Sequence, residues 1–214
     1  MRPARGALLT HACAFALLVS GCATAPAPAP PPEAAKPAPP KPTPGKGAYY
    51  KDDGPGANPP ANLGAIADAV PKVEPLHRYA NRPYHRLGKD YVPLTSVAPF
   101  RQAGIASWYG RRFHGALTSS GETYDMYAMT AAHPTLPIPS YARVTSPANG
   151  RSVVVRINDR GPFLADRIID LSYAAAWKLG FVDAGSARVL VEAIVPEKIA
   201  LWSELNPRPN LPVR

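Results

Sequence analysis

Apolar and polar positions change rhythm partway along the 214-residue chain. Before residue 82 no stretch keeps a helical or a strand period. Turn chemistry such as Asp52-Asp53-Gly54-Pro55-Gly56 and Asn58-Pro59-Pro60 interrupts it instead. From residue 82 onward, short β-branched and aromatic runs alternate with Gly, Asn and Pro turns, which is the mark of strands. Residues 82–93 predict a small hairpin with Gly88-Lys89 as its turn and Tyr84, Leu87, Tyr91 and Val92 as its apolar positions. Further strands are predicted over 104–109, 129–133, 141–145, 152–158 and 187–195, with a long Gly/Ser/Thr-rich loop over 113–127. Asn149-Gly150 is the turn signal between two of them. One helix is predicted over 172–179: Ser172 can cap it, three alanines favour it, and Gly180 can end it in the left-handed conformation. Short strands with one helix before the last suit a small closed barrel, and the pattern alone suits an open sheet as well.

Composition divides the chain further. The 28 prolines crowd into the first hundred residues, so much of that half is expected to have no packed core. Residues 23–47 read as a semi-rigid Ala/Pro spacer that would span roughly 75 Å if extended. Ahead of it, Arg2 and Arg5 precede a short apolar run over 12–19, too short to cross a membrane and typical of an export signal. That run ends in Leu18-Val19-Ser20-Gly21-Cys22, which resembles the bacterial lipobox, with Cys22 as the lipid-bearing thiol. Cys13 would leave with the signal, so no disulfide is expected. Ala23 after the lipidated cysteine, where an aspartate would retain the protein, points to an outer-membrane lipoprotein facing the periplasm of a Gram-negative bacterium.

The net charge is +9, and removal of Arg2 and Arg5 brings it to +7. Scattered Lys and Arg with no basic-aromatic module argue against nucleic acid and for the carboxylates of a cell wall. No cofactor motif is present. His114 and His133, 19 residues apart and without cysteine partners, do not read as a metal site.

Asp159 is the candidate for chemistry. It follows the β-branched run Ser152-Val153-Val154-Val155 in Arg156-Ile157-Asn158-Asp159-Arg160-Gly161-Pro162-Phe163, where a rigid support would fix its direction. An Asp before Gly-Pro also commonly accepts hydrogen bonds from its own turn, and spacing alone favours that reading.

Six blocks bear on that choice, occurring in order: Gly104-Ile105-Ala106-Ser107-Trp108-Tyr109-Gly110, Phe113-His114-Gly115, Thr118-Ser119-Ser120-Gly121-Glu122-Thr123-Tyr124, Thr130-Ala131-Ala132-His133, Leu136-Pro137 and Asn158-Asp159-Arg160-Gly161-Pro162-Phe163. Together they resemble the rare lipoprotein A family over roughly residues 104–196, with weaker similarity from Arg82. The resemblance implies a mainly β fold: a small six-stranded double-psi β-barrel with one or two short helices, preceded by a disordered Pro-rich segment.

The division expected is a signal peptide over 1–21, a lipidated Cys22 with an irregular linker over 22–81, a lead-in hairpin segment over 82–103, the barrel over 104–196 and a tail over 197–214. The resemblance further implies a monomeric endolytic lytic transglycosylase acting on peptidoglycan glycan strands, with Asp159, Glu122 and His133 as catalytic residues. Tyr109 and Tyr124 are expected as exposed sugar platforms, ahead of Trp108 and Phe113. Arg160 and Asn158 are expected in substrate binding, Arg160 reaching glycan carboxylates as Arg167 also could. Glu122 is expected either to lift the proton affinity of Asp159 or to stabilise positive charge at the anomeric carbon. The rival expectation is a non-catalytic peptidoglycan-binding outer-membrane lipoprotein, for which neither acid is needed.

Overall fold

A computed structural model describes residues 53–205 apart from 57 and 165. The expected signal peptide, Cys22, the Ala/Pro spacer and most of the Pro-rich tail lie outside the described residues. The chain order is a hairpin of β1 (Tyr84–Arg86) and β2 (Lys89–Tyr91), then β3 (Arg101–Tyr109), β4 (Thr130–Ala132), β5 (Ser140–Thr145), β6 (Ser152–Asp159) and β7 (Arg167–Ser172). Helix α1 (Tyr173–Leu179), β8 (Ser186–Ala193) and α2 (Pro196–Leu205) complete it.

Six strands close into a barrel in the order β3-β7-β4-β6-β5-β8. β3 runs parallel to β7 and β4 parallel to β6, and the remaining pairings are antiparallel. This closure settles the choice between barrel and open sheet that the pattern left open. Val155, Ile157, Ile169, Leu171, Val189 and Val191 are almost wholly removed from water and form the centre of the core. At about 1.5–3 kcal/mol for each large aliphatic side chain buried, this interior is the main stabilising term.

Local signals explain the elements that were anticipated. Ser172 accepts a hydrogen bond from Ala175 N at 3.3 Å as the N-cap of α1, and Gly180 ends it at φ +82°. The β1–β2 turn sits one residue earlier than expected, on Leu87-Gly88, both at positive φ. β7 and α2 were not anticipated as separate elements.

Residues 58–81 are irregular apart from one 3-10 turn over Leu63–Ala65, yet they pack along the barrel. β4 is only three residues long, so it leaves part of β6 without a strand partner on that side. The preceding segment fills the gap. Asp68 accepts from Val154 N at 2.9 Å, and Ala69 N donates to Val154 O at 3.0 Å. Lys178 on α1 holds Asp68 and Ile66 O. Satisfying these backbone groups gives the segment a fixed path that its composition does not reveal. Asp53 is likewise buried, its carboxylate accepting from Gly110 N and Arg112 N at 3.0 Å each. Gly110 is required there, because a Cβ would lie 2.6 Å from Gly54 O.

Candidate active site

The end of β6 carries an irregularity in its pairing with β4. Ala131 aligns with Ile157, but Ala132 aligns with Asp159, so Asn158 is an extra residue in the ladder. Such a bulge re-aims the side chain that follows it. Ala132 in turn aligns with Asp170 on β7, and Asp170 with Ser107 on β3. Asp159 thereby stands on the same rung as a second acid.

The Asp159 carboxylate is fixed from one side. Oδ1 accepts from Ser119 N at 2.8 Å, Ser119 Oγ at 2.7 Å and Arg160 N at 2.8 Å. Among the described residues no hydrogen bond falls on Oδ2. The ring of Tyr84 is close enough for its hydroxyl to feel this charge. Burial first, then Tyr91 and Asp159 against the opposing Arg160, pushes that hydroxyl up to about 12.

The turn that supplies Ser119 also supplies Glu122. Thr118 N donates to Glu122 O at 2.8 Å, Gly121 N to Thr118 O at 2.8 Å, and Ser120 N to Asn158 O at 3.3 Å. Gly121, at φ +79°, makes the turn possible. The Glu122 carboxylate meets Arg156 Nη1 with both oxygens, at 2.8 and 2.7 Å, and accepts from Asn158 Nδ2 at 3.0 Å. Arg156 also binds Glu74, through Nε at 2.8 Å and Nη2 at 3.1 Å. Burial alone would raise Glu122, but the donors Asn158 and Arg156 outweigh it and hold the carboxyl below its usual range. Glu122 is therefore a fixed anion whose dominant charge neighbours are Arg156 and Glu74.

Residues 101–191 match the family model described as a lytic transglycolase. Over these residues the chain carries a domain similar to that family, and it resembles curated proteins of one name. It is 63% identical to the endolytic peptidoglycan transglycosylase RlpA of Neisseria meningitidis serogroup B over 140 residues, which are 65% of this chain and 59% of the relative. The protein of the same name from Vibrio cholerae serotype O1 is 51% identical over 164 residues, 77% of this chain and 60% of the relative. That from Pseudomonas aeruginosa strain UCBPP-PA14 is 54% identical over 143 residues, 67% of this chain and 41% of the relative. The chain thus spans between about two fifths and three fifths of these curated relatives.

Within this barrel, several residues expected at the cleft stand elsewhere. His133 is wholly buried, with Nδ1 accepting from Thr135 N at 3.1 Å and Leu136 N at 2.9 Å. Among the described residues its Nε2 has no partner, and its main-chain N donates to Asp159 O at 3.1 Å. Burial, reinforced by Arg160, pulls the ring down to about 3, so it stays neutral and organises a turn. Among the described residues the hydrogen bonds of its ring go to backbone, with none to the Asp159 carboxylate.

Arg160 is no carboxylate receptor either: Nε donates to Ala80 O, Nη1 to His133 O and Leu136 O, and Nη2 to Asn81 Oδ1. With four donors used internally, it ties the segment at 80–81 to the turn at 133–136. Arg167 is likewise committed, to Ser107 and Asp170. Asn158 is buried and orients Glu122, which takes it out of direct substrate contact.

The aromatic expectation reverses as well. Tyr109 and Tyr124 are 9% and 2% exposed and stack on each other with ring centroids 4.1 Å apart, whereas Phe113 is 46% exposed. Tyr124 is drawn inward because its hydroxyl donates to Tyr109 O at 2.5 Å. A second aromatic group flanks Asp159 instead: Tyr84 and Tyr91 stack at 5.0 Å, with Phe163 edge-on to both.

Sequence reasoning passed over Arg156, Glu74 and Ser119. Arg156 carried a signal, since a charge within Val153-Val154-Val155-Arg156-Ile157 requires a partner wherever the strand is buried. Glu74, 82 residues away, carried none. Among the described residues no group of three or more His, Cys, Asp or Glu could hold a metal ion.

Proposed function

We propose that this chain cleaves peptidoglycan glycan strands between N-acetylmuramic acid and N-acetylglucosamine as an endolytic lytic transglycosylase, leaving 1,6-anhydro ends. The observation that carries the reading is the one-sided clamp on Asp159: three donors hold Oδ1 and leave Oδ2 to move a proton. Asp159 gives its proton to the glycosidic oxygen as the bond to the anomeric carbon breaks. It then takes the proton of the muramic 6-hydroxyl as that oxygen closes onto the same carbon. No water is activated, so no second proton-transfer group is required. Glu122, kept anionic by Asn158 and Arg156, stabilises the positive charge that develops at the anomeric carbon. The names of the relatives support the substrate class.

In this reading the chain is a monomeric outer-membrane lipoprotein facing the periplasm, anchored by acylated Cys22, and it uses no cofactor. The test is mass spectrometry of fragments released from purified sacculi. Wild type yields 1,6-anhydro ends. Asp159→Asn lowers release by about 10²–10⁴-fold while wall binding persists. Glu122→Gln is also impaired, and the double mutant is far from additive. Reducing-end products would replace the transglycosylase step with hydrolysis. Binding without any products would hand the chain to the non-catalytic wall-binding class.

A further inference from the structure

The rung that carries Asp159 carries a second acid that the reaction as written does not use. Asp170 aligns with Ala132, which aligns with Asp159, so the two Cα atoms are two strand spacings apart, roughly 10 Å. On its other side Asp170 aligns with Ser107, whose hydroxyl donates to Asp170 Oδ1 at 2.5 Å. Arg167 lies 3.5 Å from the same oxygen and also donates to Ser107 Oγ. The serine and the arginine favour the charged form of this carboxylate against its burial.

The hydroxyls of Tyr109 and Thr130 are both buried. Burial, then the negative charges of Asp159 and Asp170, pushes the Tyr109 hydroxyl far above its usual range. It therefore sits within the fields of both carboxylates. Burial also raises Asp170, and the charge of Asp159 adds to that, against the lowering effects of Arg167 and Ser107.

We propose that Asp170 is the second acid of this site, coupled to Asp159 along the ladder and held by Ser107 and Arg167, and that it acts on glycan cleavage as a positioning residue through Asp159. The inference rests on the lytic transglycosylase reading for its effect on rate, but not for the coupling itself. An ionised Asp170 sets the charge that a proton on Asp159 meets. The groups that govern its ionisation are Ser107 and Tyr109 on β3, Arg167 on β7 and Asp159 on β6.

Two measurements on the full chain decide it. Carboxyl carbon NMR follows the titration of Asp170 in wild type, Asp159→Asn and Ser107→Ala. Removing the negative neighbour should move the Asp170 midpoint down in pH, and removing the serine donor should move it up. In parallel, the pH profile of fragment release should show a limb at the Asp170 midpoint that moves up with Ser107→Ala. Asp170→Asn should lose that limb and lower kcat on the order of tenfold, the factor that corresponds to one pH unit of coupling, with KM little changed.

A purely structural Asp170 would lower thermal stability and leave the limb where it was, which overturns the proposal. An Asp170 midpoint unmoved by Asp159→Asn overturns it too, whether or not Asp170→Asn folds. If wild type releases no fragments, the cleavage reading fails separately, and the NMR titration alone then decides whether the acids are coupled.

Discussion

Replacing Arg156 by Met tests the charge arrangement under the site most directly. Methionine keeps the length and apolar stem but removes the guanidinium donors that Glu74 and Glu122 now use, leaving them Tyr141 and Asn158. Arg156 and Glu74 are mostly buried, with side chains 19% and 18% exposed, so Glu74 would lose hydrogen bonds to a charge in a setting with little water. Such bonds are worth about 1.5–3 kcal/mol net. Glu122 is 42% exposed, so solvent screening limits its share to about 1 kcal/mol at most.

A loss of about 2–4 kcal/mol follows, which corresponds to roughly 4–16 °C in Tm at about 2–4 °C per kcal/mol for a domain of this size. The loss must depend on pH. In Glu74, burial is outweighed by Arg156 and Tyr141, and in Glu122 by Asn158 and Arg156, so both folded-state values lie below the usual one. Their contribution is complete above the unfolded-state value and disappears as pH falls through the lower folded-state values. Calorimetry should therefore find the largest gap between wild type and Arg156→Met near pH 7, and one that shrinks as pH falls below the ordinary carboxylate range of about 4. A gap of equal size at both pH values would refute the electrostatic account and leave packing as the explanation.

Two further outcomes are expected. Cys22→Ala should move the protein from the membrane fraction to the soluble periplasmic fraction, and a mutant still bound to membrane would sink the anchor. Limited proteolysis, read by N-terminal sequencing, should give a core that begins before residue 68 because Asp68, Ala69 and Glu74 are bonded to β6 and β5. A core beginning at 82 or later would show that the segment does not hold the barrel in solution.

What could be read from the sequence was local. The α1 helix announces itself through Ser172 and Gly180, and the strands 140–145 and 152–159 through their β-branched runs and the Asn149-Gly150 turn. β7 was missed because Arg167 and Asp170 interrupt its apolar pattern, and Ser107, which bonds to both members of their ion pair, lies 60 and 63 residues away. α2 did carry a signal, Pro196 at its first position with Glu197 beside it, but the surrounding prolines masked it. Residues 58–81 looked coreless because composition weighs apolar side chains. It does not register that Val154 needs partners for its N–H and C=O. The blocks of the rare lipoprotein A resemblance pointed to Asp159 and Glu122, but not to the depth at which Tyr109, Tyr124 and His133 lie.

The consecutive residues Asn158 and Asp159 show why the motif needs its particular order. The extra residue in the β6 ladder is Asn158, and without it Asn158 would align with Ala132. Asp159 would then lose its place on the rung with Asp170. The inserted Asn158 is not idle, since its Nδ2 holds Glu122 and its C=O accepts from Ser120 N. One turn, 118–122, thus binds both consequences of the bulge: Ser119 takes hold of Asp159 and Glu122 takes hold of Asn158. Deleting one residue from β6 would leave the valine run and the barrel pairing on β5 in place but uncouple the two acids. The site depends on a fault in the strand, and an alternating pattern does not predict where such a fault will fall.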